Sequence, residues 1–215
     1  MDKRLLIKRF IIPFAWFWSR VYSYNLAQKL KNARDWVYTL WIKNFMGDVG
    51  ISSVIKYPCE LWGGGKTSIY IGNKTIIRPH CDIGCFNRYN DQTYNPSIQI
   101  GDSCDIGEYN HISAIMGIKI GNGLLTGKFV LINDNNHGEL SLDEAEIPPF
   151  SRNLTSKGPI EIGNNVWLGD KVAILSGVKI GDNVIVGANS VVTKSIPSNC
   201  VVAGIPAKII KVLDK

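Results

Sequence analysis

The chain has 215 residues, 45% of them hydrophobic and 20% charged, with a mean hydropathy of +0.02 and a formal net charge of +6. That size bounds it to one domain with an extension or two small domains, and the composition excludes collagen-like and disordered polymers. No apolar run approaches the ~18 residues of a spanning helix. The nearest, Phe10 to Trp18, carries Pro13, is closed by Arg9 and Arg20 and is followed by no small-residue cleavage site, so a secretory leader is not expected.

Residues 1–46 predict helix. Val21, Leu26, Leu30, Val37, Leu40 and Trp41 recur at roughly helical spacing, and four of the six Trp lie in this segment. Its nine Lys and Arg stand against Asp2 and Asp35, a balance of +7, which leaves −1 for the rest of the chain. Two uses fit this pattern. One is a helix pair packed on the remaining body or on another subunit. The other is an interfacial helix, with aromatics at the lipid headgroups and Lys/Arg meeting anionic lipid. No nucleic-acid partner is expected.

Residues 47–70 read as a turn-rich entry ending in Gly63-Gly64-Gly65. The period then changes. Aliphatic residues fall six apart at Ile71, Ile77 and Ile83, at Ile100, Ile106 and Ile112, and from Ile162 through Leu168, Ile174, Ile180, Val186 and Val192. Thr126 takes the aliphatic place between Ile120 and Ile132. A repeat of six fits neither an α-helix nor a two-layer sheet. It fits a chain wound into triangular coils, each side a short strand pairing with the coil above. Gly, Asn and Asp at 163–165, 169–170 and 181–183 supply the turns. The narrow axis asks for small or β-branched residues four places after each aliphatic, as at Thr75, Cys81, Cys104, Val166, Val172, Val178, Val184 and Ser190. Cys81 and Cys104 therefore read as core residues, not ligands, and five cysteines without a leader predict reduced thiols in a cytoplasm. Coils of eighteen residues start at Ile71, Ile100, Ile120, Ile162 and Ile180, with excess residues expelled as loops at 88–97 and 138–161. The expected layout is a helical segment over 1–46, a β-helix over 47–200 and a capping tail over 201–215.

The run Ile162-Gly-Asn-Asn-Val-Trp-Leu-Gly-Asp170, then Ile180-Gly-Asp, Gly187-Ala-Asn-Ser-Val-Val-Thr-Lys194 and Ala203-Gly-Ile-Pro-Ala-Lys208, resembles the hexapeptide-repeat acyltransferases. The resemblance covers roughly residues 60–212. It is strongest to the branch that O-acetylates sugars and bacterial polysaccharides, relatives of galactoside and maltose acetyltransferases. It implies an all-β, left-handed parallel β-helix, a hand opposite to the usual right-handed crossover. It also implies acetyl-CoA as co-substrate, a saccharide acceptor, no metal, and a homotrimer with sites between subunits.

His137 sits in Asn133-Asp-Asn-Asn-His-Gly138 at the mouth of the longer loop, where the family's catalytic His lies. There it would take the proton of the acceptor hydroxyl, with Asp134 or Glu139 orienting its ring. Asn110 resembles the family's acceptor-binding Asn one coil earlier. It also falls in the small inward slot of its repeat, where a buried amide satisfied by turn backbone is the competing reading. His111, next to it, is the second acceptor-binding candidate; His80 reads as a turn residue. By resemblance, Trp167 and Asp170 flank the pantetheine groove, Ala188 offers backbone to the pantetheine amides, Thr193 and Lys194 continue the groove, and Lys208 and Lys211 meet the nucleotide phosphates. Relatives often carry Arg at the last two places, and Lys makes a point-charge contact where Arg makes a bidentate one. Zinc-dependent chemistry would need three converging His, and spacings of 31 and 26 residues include no short pair. Three outcomes stay open: O-acetylation of a cell-surface polysaccharide or its precursor, N-acetylation of an amino sugar nucleotide, and a non-catalytic scaffold. The loops at 88–97 and 138–161 are expected to choose the acceptor.

Overall fold

The computed structural model describes Arg4, residues 7–139 and residues 141–213; Asp2, Lys3 and the ends of the predicted N- and C-terminal segments lie outside the described residues. The residues spaced by six form the axis of a parallel β-helix with three faces. The first face stacks Asp48–Val49, Ile69–Ile71, Ile98–Ile100, Ile118–Ile120, Ile160–Ile162 and Lys179–Ile180. The second stacks Val54–Ile55, Ile76–Ile77, Asp105–Ile106, Leu125–Thr126, Trp167–Leu168 and Ile185–Val186, then the hairpin Cys200–Gly204 and Ala207–Val212. The third stacks Glu60–Trp62, Asp82–Cys85, His111–Ala114, Leu131–Asn133, Ala173–Ile174 and Val191–Val192. Register is kept from rung to rung: Ile83, Ile112, Ile132, Ile174 and Val192 lie in one column, all buried.

The first regular coil precedes the one predicted to start at Ile71. Val49, Ile55 and Leu61 also stand six apart and pair with Ile71, Ile77 and Ile83, so 47–70 is a full coil and not an entry segment. Its turn-rich composition hides the period. The predicted tail likewise continues the body, since Cys200–Gly204 adds a strand in register with Ile185–Val186.

After most inward residues of the first and second faces, the residue three places on takes a left-handed turn conformation, usually Asn, Ser, Lys or Gly, but also His80, Tyr109 and Phe129. Bulky residues pay a steric cost in that region. Here the three rings stack on one another, with centroids 4.6 and 5.0 Å apart, which offsets part of it.

The N-terminal segment forms α1 (Ile12–Val21) and α2 (Tyr24–Ile42), separated where Ser23 caps α2 by accepting from Leu26 N–H. The inner side of α2 closes the open end of the first coil. The Thr39 hydroxyl accepts from Ile55 N–H at 2.9 Å and donates to Asp35 O, Asp35 accepts from Tyr57 N–H, and Tyr38 donates to Cys59 O. These bonds satisfy edge groups that a β-helix end would otherwise leave unpaired. By contrast, no residue of α1 is buried.

Thr39→Val should therefore cost about 1–3 kcal/mol in urea unfolding by orphaning Ile55 N–H. Val37→Thr, on the exposed side of the same helix, should change stability by less than ~0.5 kcal/mol.

Candidate active site

His137 lies where the chain leaves the third face. After Leu131–Asn133 the backbone turns outward, and Asn136–His137 pairs antiparallel with Leu154–Thr155 on the returning side of the long insertion. This insertion also carries the short helix α3 (Leu142–Ala145). The exposed His137 opens on a cleft of about 600 Å³ that it shares with Gly138, Glu139, Arg152 and Lys157.

The shorter insertion folds as a hairpin, Arg88–Tyr89 against Gln92–Thr93, and clasps the longer one. The Tyr89 hydroxyl donates to Phe150 O at 2.7 Å and Asn90 Nδ2 to Ser151 O at 3.1 Å, while the Tyr94 hydroxyl lies 2.7 Å from Gln92 Oε1 and 3.1 Å from Leu154 O. The two loops leave different coils, yet they brace the same strand opposite His137. The Tyr89 oxygen is also 3.3 Å from His137 Nδ1, with the rings edge to face. A tyrosine hydroxyl has one proton, and here the shorter bond to Phe150 O takes it. What remains for His137 is acceptance from Nδ1–H, which leaves the lone pair on Nε2.

The predicted orienting acids do not hold the ring. Asp134 is fully buried and turned inward, where its carboxylate accepts from the backbone N–H groups of Ile115, Met116 and Gly117 at 2.7–2.9 Å. Its task is to fix the turn of the coil below. Glu139 is exposed, its N–H donates to Glu144 Oε2, and among the described residues no bond joins its carboxylate to His137. Tyr89 takes the place expected for an acid. Its signal in the sequence is weak: an aromatic inside an insertion, 48 residues from its partner.

Asn110 is also not an acceptor ligand in this geometry. It is 1% exposed, its amide meets the Thr126 hydroxyl and its carbonyl accepts from Val130 N–H at 2.7 Å. The pair explains why Thr126 breaks the aliphatic spacing: two polar residues in the core satisfy each other. His111 points out from the third face and pairs with Asp82 at 3.0 Å, while Trp62 Nε1 donates to the other Asp82 oxygen. His80 lies in the aromatic turn stack. The cysteines are packing residues: Cys81 and Cys104 are buried, and burial pushes the Cys85 thiol up to about 12 and raises that of Cys104.

The residues assigned to the acyl carrier divide between two edges. Trp167 is exposed on the second face, and Asp170 and Ala188 occupy the turns between the second and third faces. Asp170 also accepts from Lys128 N–H at 2.8 Å, holding that corner. Thr193 and Lys194 follow Val191–Val192 at the opposite edge of the third face, the edge from which His137 emerges. Lys208 and Lys211 are exposed on the last strand, Ala207–Val212.

The model of the bacterial transferase hexapeptide family (six repeats) matches residues 159–194. An Escherichia coli (strain K12) protein assigned as the lipopolysaccharide biosynthesis O-acetyl transferase WbbJ is 38% identical over 162 residues, covering 74% of this chain and 78% of the relative. This chain belongs to the hexapeptide-repeat acyltransferases. Another family member, the galactoside O-acetyltransferase of the same organism, is 55% identical over a stretch of 56 residues, 26% of this chain and 28% of that protein. Among solved structures, an N-acyltransferase from Bacillus cereus, AntD, in complex with dTDP and coenzyme A aligns with a TM-score of 0.65 at 22% identity, over 82% of this chain and 89% of that one. A Vibrio cholerae hexapeptide-repeat acetyltransferase bound to acetyl-CoA aligns with a TM-score of 0.52 at 23% identity, over 90% and 91% of the two chains. At these identities the structural likeness speaks for the fold, and the family resemblance read from the repeats holds.

Asp134→Ala should cost about 3 kcal/mol in urea unfolding, because it strands two buried N–H groups, those of Ile115 and Gly117, and the part-buried one of Met116. Glu139→Ala should stay within ~0.5 kcal/mol of the parent.

Proposed function

We propose that this protein moves an acetyl group from acetyl-CoA to a hydroxyl of a saccharide, a cell-surface polysaccharide or its precursor, with His137 as the base. The observation that carries this reading is the Tyr89–His137 contact, which leaves Nε2 as the basic nitrogen at the mouth of the cleft. Nε2 takes the proton of the acceptor hydroxyl as its oxygen attacks the thioester carbonyl. The tetrahedral intermediate then expels the CoA thiolate, which recovers the proton from His137. No acyl-enzyme is needed, and no cysteine lies beside His137 among the described residues. The acetyltransferase relatives support the donor, and their sugar-directed names support the acceptor class. The clasped loops at 88–97 and 138–161 would choose among saccharides. Transfer to the amine of an amino sugar nucleotide uses the same base and is the second reading, in keeping with AntD.

The working unit is proposed to be a homotrimer of left-handed coils, as in the family. The division of the groove supports it: His137, Thr193 and Lys194 stand on one edge of the third face, and Asp170 and Ala188 on the other. A head-to-tail ring would set the first edge of each copy against the second edge of the next, so that both edges face one substrate. Lys208 and Lys211 would meet the nucleotide phosphates. Five unpaired cysteines fit a reducing cytoplasmic setting.

Acetyl-CoA turnover, read as free thiol with mono-, oligo- and amino-saccharides, tests the reading. His137→Ala should lose roughly 10²–10⁴ in rate with the fold intact. Tyr89→Phe should lower kcat about tenfold, the loss of one hydrogen bond, with little change in the KM for acetyl-CoA. Equal co-expression of His137→Ala and Ala188→Trp, each inactive alone, should restore about one quarter of the parent activity, because an intact shared site needs the two variants in one order. No restoration would place each site within a single copy.

A further inference from the structure

The segment before the β-helix has a surface that the transfer chemistry does not use. From Ile7 to Val21 no residue is buried. At helical spacing Phe10, Phe14, Phe17, Trp18 and Val21 share one side, and all are more than half exposed. Phe14 stacks on Trp18, and Trp18 leans on Tyr22, so these rings form a continuous apolar strip. Arg9 and Arg20 flank it on one side and Lys8 on the other, with the Arg20 guanidinium 4.9 Å above the Trp16 ring. Beyond the break at Ser23, Leu30, Val37 and Trp41 are also exposed on the outer side of α2, while its inner side is committed to the first coil. A patch of this size is not left to water.

The charge pattern selects the occupant. Between residues 3 and 34 there is no Asp or Glu, and Asp35 is already engaged by Arg34 at 2.6 Å and by Tyr57 N–H. Two copies of such a segment laid together would set cation against cation with no acid to answer them. An anionic bilayer instead supplies both an apolar interior for the rings and phosphates for Lys8, Arg9 and Arg20. No helix among the described residues is long and apolar enough to cross a membrane. We propose that α1 is an in-plane membrane anchor that docks this protein on anionic lipid. The inference stands independently of the acetyl-transfer reading.

The test is sedimentation of the full chain with vesicles of phosphatidylcholine alone or with one-third phosphatidylglycerol. Binding should be at least about tenfold tighter to the phosphatidylglycerol vesicles and should weaken as salt rises. The triple variant Lys8→Glu/Arg9→Glu/Arg20→Glu should bind the mixed vesicles no better than neutral ones, and Phe14→Ser/Trp18→Ser should bind neither. These positions bury nothing, so unchanged far-UV circular dichroism and thermal unfolding of the body should accompany both losses. Equal binding to neutral and anionic vesicles would overturn the proposal. So would no binding together with a self-association that Phe14→Ser/Trp18→Ser abolishes, since a second copy would then cover the strip.

Discussion

Every feature of this molecule depends on one constraint: each rung must hydrogen-bond to the rung above in register, around a narrow axis filled by continuous columns of inward side chains. A parallel rung spacing near 4.8 Å leaves no room for a shifted aliphatic, because a slip of one residue turns the inward side chain outward. Insertions are therefore tolerated only where the chain turns a corner and returns to the same register. The segment 138–161 obeys this rule, leaving after Leu131–Asn133 and re-entering at Ile160, which pairs with Ile118. The place where the regular winding breaks is also where a side chain is free to do chemistry.

The same constraint decides what was legible in the sequence. Inward positions repeat, so the three faces, the core columns and both insertions could be read from spacing alone. The first coil followed the same spacing through Val49, Ile55 and Leu61 but lacked the Gly-Asn-Asp turns that make the later coils conspicuous. Directions within the site were harder. Asp134 is three residues from His137 in sequence, yet it faces the axis while the chain carries His137 outward, so proximity along the chain said nothing of contact. Asn110 carried two readings, and only the partners Thr126 and Val130 separate them. Tyr89 was unreadable because its role depends on two loops from different coils meeting in space.

Polar groups in the column show how strict the satisfaction rule is in so thin a core. Thr75 accepts from Cys104 N–H and donates to Gly101 O, tying neighbouring rungs where an aliphatic would only fill space. Asn110 and Thr126 do the same one coil later, and Thr126 also accepts from Gly107 N–H at 2.7 Å. These are rung-to-rung staples. Their cost if half satisfied is high in a low-dielectric interior, which is why each occurs with its partner and why none is free to bind a substrate.

The N-terminal helices show the complementary case, where the rungs end. The open edge of the first coil offers unpaired backbone groups, and α2 meets them with Asp35, Tyr38 and Thr39 rather than with a large apolar surface. A polar seam of that kind is directional: it fixes α2 on the coil end while leaving its outer side and all of α1 uncommitted. Because α1 buries nothing on the body, changes confined to its side chains should leave the stability of the rungs nearly unchanged. The break at Ser23 then separates α2, which the coil end holds through Asp35, Tyr38 and Thr39, from a segment that buries no side chain on the body.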